Sequence, residues 1–192
     1  MIMRIVLLFL FVTVMGLNTV SGQRWSIEFR PQLNFPTQEI EGSEVKTGFG
    51  FDLITAYNMM PHLKAYTGWA WNQFETKADM AAMELDITQN SFLLGFELTI
   101  PKQGSPLGFF GNSGINYGAI RLENNALNID DRSSYKIGWH AGAGVRYRID
   151  DTWALSSNVR FQSYSNEIDT SENAISVKLN YISFGFGLLK EL

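Results

Sequence analysis

Charged side chains that alternate with large apolar ones are the residues of this sequence most able to do chemistry. Between Trp25 and Phe35, apolar residues at every second position alternate with polar ones that include Glu28 and Arg30. Successive side chains of an extended strand point to opposite faces, so charges spaced in this way lie together on one face. Eight charged residues in segments of this kind share that face: Glu28, Arg30, Asp52, Lys64, Glu97, Arg146, Arg148 and Arg160.

These eight residues predict a network of ion pairs. Charges that are enclosed together must pair, because an unpaired buried charge is costly. We expect Glu28 and Glu97 to pair with Arg146, Arg148 or Arg30. The cluster would fill the interior of the fold as a structural plug, which we favour, or it would line a narrow gated pore.

A catalytic site is not indicated by the histidines or serines. The chain has two histidines, His62 beside Pro61 and His140 between Gly138 and Gly142. Ser91, Ser156 and Ser176 are conceivable partners for His140, but no spacing selects any of them, and the Gly-x-Ser-x-Gly motif of lipid hydrolases is absent. We therefore predict no catalytic residue, and keep a lipid-modifying enzyme as an alternative.

Acidic residues are concentrated in the segments between the alternating stretches. Carboxylates of this kind suit Ca²⁺ or Mg²⁺, but none has the spacing of a calcium-binding loop. We expect solvated loop surface, with no metal site and no cofactor. The residues are Glu39, Glu41, Glu44, Glu75, Asp79, Glu84, Asp86, Asp130, Asp131, Glu167, Asp169 and Glu172.

Composition excludes several classes of protein. The chain of 192 residues contains no cysteine, which excludes disulfides, thiol catalysis, cysteine metal sites and a lipid-modified cysteine. Its net charge is −4, and removal of a leader containing Arg4 would take it to −5. An acidic chain lacks the basic surface that nucleic-acid binding requires.

The first 22 residues have the features of a secretory signal peptide. Arg4 precedes a continuous apolar run from Ile5 to Val12, and Val20 and Gly22 occupy the small-residue positions before a cleavage site. A membrane anchor is the alternative, but the run is short of the ~20 apolar residues that span a bilayer. We predict a leader over residues 1–22 and one domain over residues 23–192.

Eight alternating segments predict a closed β-barrel. They cover residues 25–35, 45–57, 63–71, 88–100, 107–120, 135–149, 153–163 and 175–188. Their apolar faces have no second layer to cover them, which is expected when those faces contact lipid. In the last segment the apolar phase changes between Leu179 and Ile182, and we expect a β-bulge near Tyr181 to reconcile the two halves.

The lengths of the connections predict the orientation of the barrel. Long and short connections alternate, as in outer-membrane barrels with long external loops and short periplasmic turns. Both chain ends would then lie at the periplasmic rim, with the acidic connections outside. A soluble periplasmic barrel that binds an apolar ligand is the alternative, since Ile54, Leu93 and Phe110 point inward.

Two strand sequences, together with the leader, carry a family resemblance. The segment from Gly138 to Tyr147 and the segment from Ile182 to Leu188 resemble strands of small outer-membrane β-barrels of the OmpX/OmpA-barrel type. The resemblance covers residues 23–192 and implies an all-β, eight-stranded, antiparallel up-and-down transmembrane barrel in the bacterial outer membrane. It also implies contact with outer-membrane lipid, lipopolysaccharide and the barrel-assembly machinery. The expected function is structural or surface-interacting, and non-catalytic.

Overall fold

The computed structural model describes residues 25–38, 44–77, 86–124, 129–169 and 174–192. The predicted leader, Glu39, Glu41, Asp79, Glu84 and Glu172 lie outside this part of the chain. The described residues form ten β-strands: β1 Trp25–Pro36, β2 Glu44–Val45, β3 Gly48–Met60, β4 Leu63–Lys77, β5 Asp86–Pro101, β6 Leu107–Asn124, β7 Ile129–Arg132, β8 Lys136–Arg148, β9 Trp153–Asp169 and β10 Ala174–Glu191.

Eight of these strands close into an antiparallel up-and-down barrel, which confirms the predicted fold. The hydrogen-bonded order around the barrel is β1, β3, β4, β5, β6, β8, β9 and β10, and β10 pairs with β1 again. The short strands β2 and β7 extend the sheet beside β4 and β6. Within the described residues, no helix has the length and apolar character needed to cross a membrane. We call one end of the barrel the periplasmic end. It carries the short turns, the first residues of β1 and the last residues of β10.

The two faces of the barrel wall differ as the two-residue period predicts. Along β1 every second side chain is buried, and Asn34 is completely so, whereas Leu33 next to it is 53% exposed. Apolar residues cover the outer face in all eight strands, with Phe186 of β10 at 69% exposed. The wall therefore has its polar face inside and its apolar face outside.

Several strands continue past the predicted ends at the opposite, external end. β4 reaches Lys77, β6 reaches Asn124 and β9 reaches Asp169. The register is continuous there, because Glu75 lies opposite Asp86 and Asp86 lies opposite Glu123. Much of the second, third and fourth predicted long loops is therefore paired strand.

The predicted bulge near Tyr181 is wrong. β10 pairs with β9 without a register shift from Ala174 to Lys190. Leu179 and Tyr181 simply point inward, at 1% and 0% exposed. The apolar residues move from the outward to the inward positions of β10 because the surroundings of both faces change along the strand. The backbone itself remains regular.

Candidate functional site

The interior of the barrel, its lumen, is the candidate functional site because the inward positions of all eight strands converge there. Glycines leave the space that the long inward side chains occupy. A Cβ on Gly187 would lie 2.1 Å from Glu28 Oε1, and a Cβ on Gly185 would lie 3.0 Å from Arg30 Cδ. Glycine beside a long charged residue thus lets a narrow barrel hold a filled interior.

Four charged residues form the layer nearest the periplasmic end. Glu28 accepts hydrogen bonds from Arg30 Nε at 3.0 Å and from Ser156 Oγ at 2.5 Å. Arg146 donates to both carboxylate oxygens of Glu97, at 2.8 and 3.2 Å, and its Nη2 lies 3.8 Å from Glu28. The Arg146 guanidinium also stacks on the Phe110 ring at 4.7 Å. Each carboxylate in this layer is therefore paired with a buried arginine.

Lys64 and Arg148 lie at the periplasmic rim of this layer. Lys64 Nζ is 3.5 Å from Glu191 Oε1, a carboxylate that the sequence analysis did not include. Both cations line an open cavity of about 470 Å³ between the periplasmic turns. Arg148 is exposed and does not join the ion pairs, contrary to prediction. It is the last residue of β8, where alternation continues but the barrel no longer encloses the side chain.

A second ion pair occupies the middle of the lumen. Arg160 Nη2 lies 2.7 Å from Asp52 Oδ2, and the two side chains are 1% and 0% exposed. Gln32 contacts both partners: its Oε1 accepts from Arg160 at 3.0 Å, and its Nε2 lies 3.3 Å from Asp52. The pair is thus enclosed and held by a neutral amide.

Uncharged polar residues continue the network outward from Gln32. Gln32 and Asn34 both donate to Asn72 Oδ1 at 2.8 Å. Asn72 in turn donates to Tyr181 Oη at 3.2 Å, and Tyr181 donates to Gln89 at 2.7 Å. The sequence analysis missed these amides because it considered only charged residues, although they lie on the same face of the strands.

The outer part of the lumen is apolar. Seven buried side chains form one cluster there, which we call the outer plug: Val45, Phe74, Ile87, Ile120, Tyr164, Leu179 and Tyr181. The rings of Phe74 and Tyr181 meet edge to face at 5.1 Å. The inward face is therefore largely polar along the apolar outer belt, apart from a second apolar cluster, and it is apolar beyond the belt. The members of the second cluster are Ile54, Ala56, Tyr66, Ala70 and Leu93.

His140 lies in the lumen without the partners of a hydrolase. Its Nε2 is 2.5 Å from Tyr66 Oη and its Nδ1 is 3.4 Å from Asn116 Oδ1. Ser156 is bonded to Glu28, and the Ser91 hydroxyl is buried without a hydrogen-bond partner. His62 is exposed in a periplasmic turn, and the side chain of Ser176 lies outside the described part. Among the described residues, the hydrogen-bond partners of His140 are Tyr66 and Asn116.

A small cavity lies inside the lumen between the ion-paired layer and Tyr66. Its volume is about 10 Å³, roughly enough for one water molecule. Among the described residues, no group of three His, Cys, Asp or Glu side chains could hold a metal ion. The side chains of Glu44, Asp130, Asp131, Glu167 and Asp169 lie outside that description.

Solved structures show the same fold in outer-membrane proteins. Neisserial surface protein A is 12% identical to this chain, with a TM-score of 0.67 over 88% of this chain and 97% of that one. OprG of Pseudomonas aeruginosa is 14% identical, with a TM-score of 0.65 over 88% and 95%. At these identities the similarity establishes the fold.

Sequence comparisons establish the family. The 25 kDa outer-membrane immunogenic protein of Brucella ovis is 31% identical over 65 residues, which cover 34% of this chain and 31% of that protein. The match thus spans about a third of the relative's length. The family model for the outer membrane protein beta-barrel domain matches residues 5–188. The chain therefore belongs to the outer membrane protein beta-barrel domain family and is a protein of the bacterial outer membrane.

Proposed function

We propose that this protein is a non-catalytic barrel with a sealed lumen, whose role in the envelope is structural or surface-interacting. The filling of the lumen carries the proposal. Two arginine-centred ion-pair layers, an amide network and the outer plug follow one another along the barrel axis. An eight-stranded barrel is only wide enough for its side chains, so these layers leave no continuous water path.

The external end supports a surface role. Beyond the apolar belt the strands continue as paired hairpins, with β2 and β7 added at the sides of β4 and β6. The outer plug gives this extension its own apolar core, which stabilises it as an ordered surface. The relative's name, outer-membrane immunogenic protein, supports exposure of this end to the surroundings of the cell.

Conductance of the reconstituted protein tests the sealed lumen. Refolded protein in a planar bilayer should give no steady current above that of the bare membrane, while a general porin added to the same membrane confirms that insertion is detectable. A steady nanosiemens-scale current would overturn the proposal in favour of a channel. The narrow gated channel remains the alternative because the 470 Å³ periplasmic cavity leads to the first ion-paired layer.

Incubation with acyl-labelled lipopolysaccharide tests the absence of catalysis. Wild-type protein should release no labelled fatty acid, because the partners of His140 among the described residues are Tyr66 and Asn116, and neither is a carboxylate or a serine. Release that disappears in His140→Ala, with its folding unchanged, would establish a lipid-modifying enzyme instead.

The proposed partners are outer-membrane lipid, lipopolysaccharide and the barrel-assembly machinery. The apolar outer face requires lipid, and a closed barrel of this type needs insertion from the periplasm. Assembly into vesicles with and without purified assembly machinery tests the last partner. Equal folding rates in both preparations would argue against it.

A further inference from the structure

Soft donor atoms are concentrated in the first periplasmic turn of the barrel. Met59 and Met60 end β3, and His62 follows them after Pro61. Met59 is 52% exposed, Met60 is 63% exposed, and His62 is exposed as well. Two thioethers and an imidazole therefore lie within four consecutive residues, and burial does not account for the methionines.

A β-bulge in β3 explains how two consecutive methionines can serve one site. Successive side chains of a regular strand point to opposite faces, which would separate Met59 from Met60. Asn58 pairs with Lys64 and Met60 pairs with Leu63, so Met59 is an extra residue that has no partner in β4. A bulge of this kind bends the strand and re-aims a side chain. Both methionines accordingly line the periplasmic cavity of about 470 Å³.

His62 lines the same cavity and belongs to a turn that is tied to the next hairpin. The backbone N–H of Thr99 in β5 donates to the His62 carbonyl at 2.8 Å. Pro61 fixes one backbone dihedral of the turn. The backbone is thus held, while the unbranched side chains of Met59 and Met60 can adjust the positions of their sulfur atoms around a ligand.

The charges around the cavity do not favour a hard divalent cation. Three cationic and three anionic side chains line it: Lys64, Arg146, Arg148, Asp150, Asp151 and Glu191. Asp150 already accepts hydrogen bonds from the backbone N–H groups of Thr152 and Trp153, and Glu191 is paired with Lys64. Selection of a metal therefore depends on the type of donor atom. Thioether ligands select Cu(I), and no thiolate competes for it because the chain has no cysteine.

We propose that Met59, Met60 and His62 form a binding site for a soft monovalent metal ion, Cu(I), at the periplasmic end of the barrel. The ligands are the two thioether sulfurs and one ring nitrogen of His62. His140, the other histidine of the chain, is buried in the lumen and takes no part. The site differs from the acidic external connections, whose oxygen atoms would suit Ca²⁺ or Mg²⁺. It does not depend on whether the lumen is sealed.

Titration of the purified protein in detergent with Ag(I), a redox-inert substitute for Cu(I), tests the site. Methionine methyl groups labelled with carbon-13 report on each sulfur, and the NMR signals of Met59 and Met60 should shift together with equimolar Ag(I). Met80 and Met83, the other two methionines outside the predicted leader, are internal controls whose signals should not shift. Zn²⁺ should leave all four signals unchanged, because it takes imidazole, carboxylate and thiolate ligands.

Native mass spectrometry of variants identifies the ligands. Loss of even an outer hydrogen-bond partner typically lowers the affinity of a metal site about 10-fold or more, so Met59→Leu/Met60→Leu should lower the Ag(I) affinity at least as much. His62→Gln should lower it as well. The matched control, Met80→Leu/Met83→Leu, removes the same number of sulfurs and should bind as wild type. Heat-modifiable migration in gels verifies that all four proteins are folded.

Three results would overturn the proposal. Unchanged affinity in Met59→Leu/Met60→Leu, or an equal loss in the control pair, would mean that these sulfurs are not ligands. A shift of the His62 ring signals without a shift of the methionine signals would indicate a simple imidazole site. Cu(I), kept reduced by ascorbate in the absence of oxygen, should displace Ag(I) from the same residues, and its failure to do so would refute the assignment of the metal.

Discussion

Replacement of Arg160 by Met should strongly destabilise the barrel, because it removes the guanidinium that contacts the enclosed Asp52 carboxylate and leaves Arg30, opposite Asp52 in register, as the remaining nearby cation. Asp52 is fully buried, and the hydrogen-bonding group that remains beside it is the Gln32 amide at 3.3 Å. At 2.7 Å the attraction of two unit charges is about 6 kcal/mol for an effective dielectric constant of 20. Desolvation offsets part of that, and breaking a buried pair typically costs about 3–5 kcal/mol.

The double variant Asp52→Leu/Arg160→Met separates this cause from a packing defect. With both charges gone, most of the loss should be recovered, since an apolar pair of similar volume is often as stable as a buried ion pair. The control is Lys64→Met at the rim, where Glu191 is a third exposed and the pair is separated by 3.5 Å. Removal of a partly solvated pair should cost about 1 kcal/mol or less.

Equilibrium urea unfolding in phospholipid vesicles, followed by tryptophan fluorescence, measures these differences. The reasoning fails if Arg160→Met costs no more than Lys64→Met. That result would mean that water or Arg30 compensates Asp52 in the folded barrel, and a steady conductance of the reconstituted protein would then separate water entry from compensation by Arg30.

The remaining predictions concern the lipid face, the glycines and a periplasmic turn. Phe96→Arg, in the middle of the apolar belt, should cost about 2–4 kcal/mol in vesicle unfolding, whereas Thr88→Arg, beyond the belt on the same strand, should cost about 1 kcal/mol or less; equal costs would contradict the placement of the lipid. Gly114→Ala should destabilise by about 1–3 kcal/mol, because its Cβ would lie 2.3 Å from a backbone oxygen, whereas Gly111→Ala meets nothing closer than 3.8 Å and should be close to neutral. The pKa of Asp150 is lowered by hydrogen bonds from the backbone N–H groups of the next turn residues, so its contribution to stability is present above the ordinary aspartate pKa and disappears as pH falls through the lowered value. Unfolding midpoints of wild type and Asp150→Ala should therefore differ at pH 7 and converge as the pH falls below the ordinary aspartate range, and a constant difference would contradict this assignment.

The barrel could be predicted from the sequence because lipid and a filled interior impose the same two-residue period on every strand. Glu28, Asp52 and Arg160 lie inside for that reason. The ion-pair partners could not be predicted. The alternation along a strand shows which face a residue lies on, but it does not show the register between neighbouring strands. The Asp52–Arg160 pair is an example, since its partners belong to β3 and β9.

Failures of the sequence analysis occur where the environment of the wall changes. Leu179 and Tyr181 indicated a bulge only under the assumption that the outer face meets lipid along the whole strand. Beyond the lipid the outer face meets water, so an apolar residue belongs inside and the backbone stays regular. The prediction that Arg148 joins the ion pairs was wrong for a related reason, since its strand ends where the barrel opens into the periplasmic cavity.

The reversal of polarity along the wall also fixes how deep the protein sits in its membrane. On β5 the outward apolar residues run from Phe92 to Ile100. At about 3.4 Å per residue and a strand tilt of about 40°, this belt is about 21 Å tall. On β1 and β8 the outward apolar residues span ten positions each, from Trp25 to Phe35 and from Ile137 to Tyr147, which is about 26 Å by the same conversion. The belt is therefore close to the band of about 25 Å that is typical of outer-membrane barrels. Movement outward would expose Phe92 to water and movement inward would expose Ile100, so hydrophobic mismatch holds the barrel at one depth.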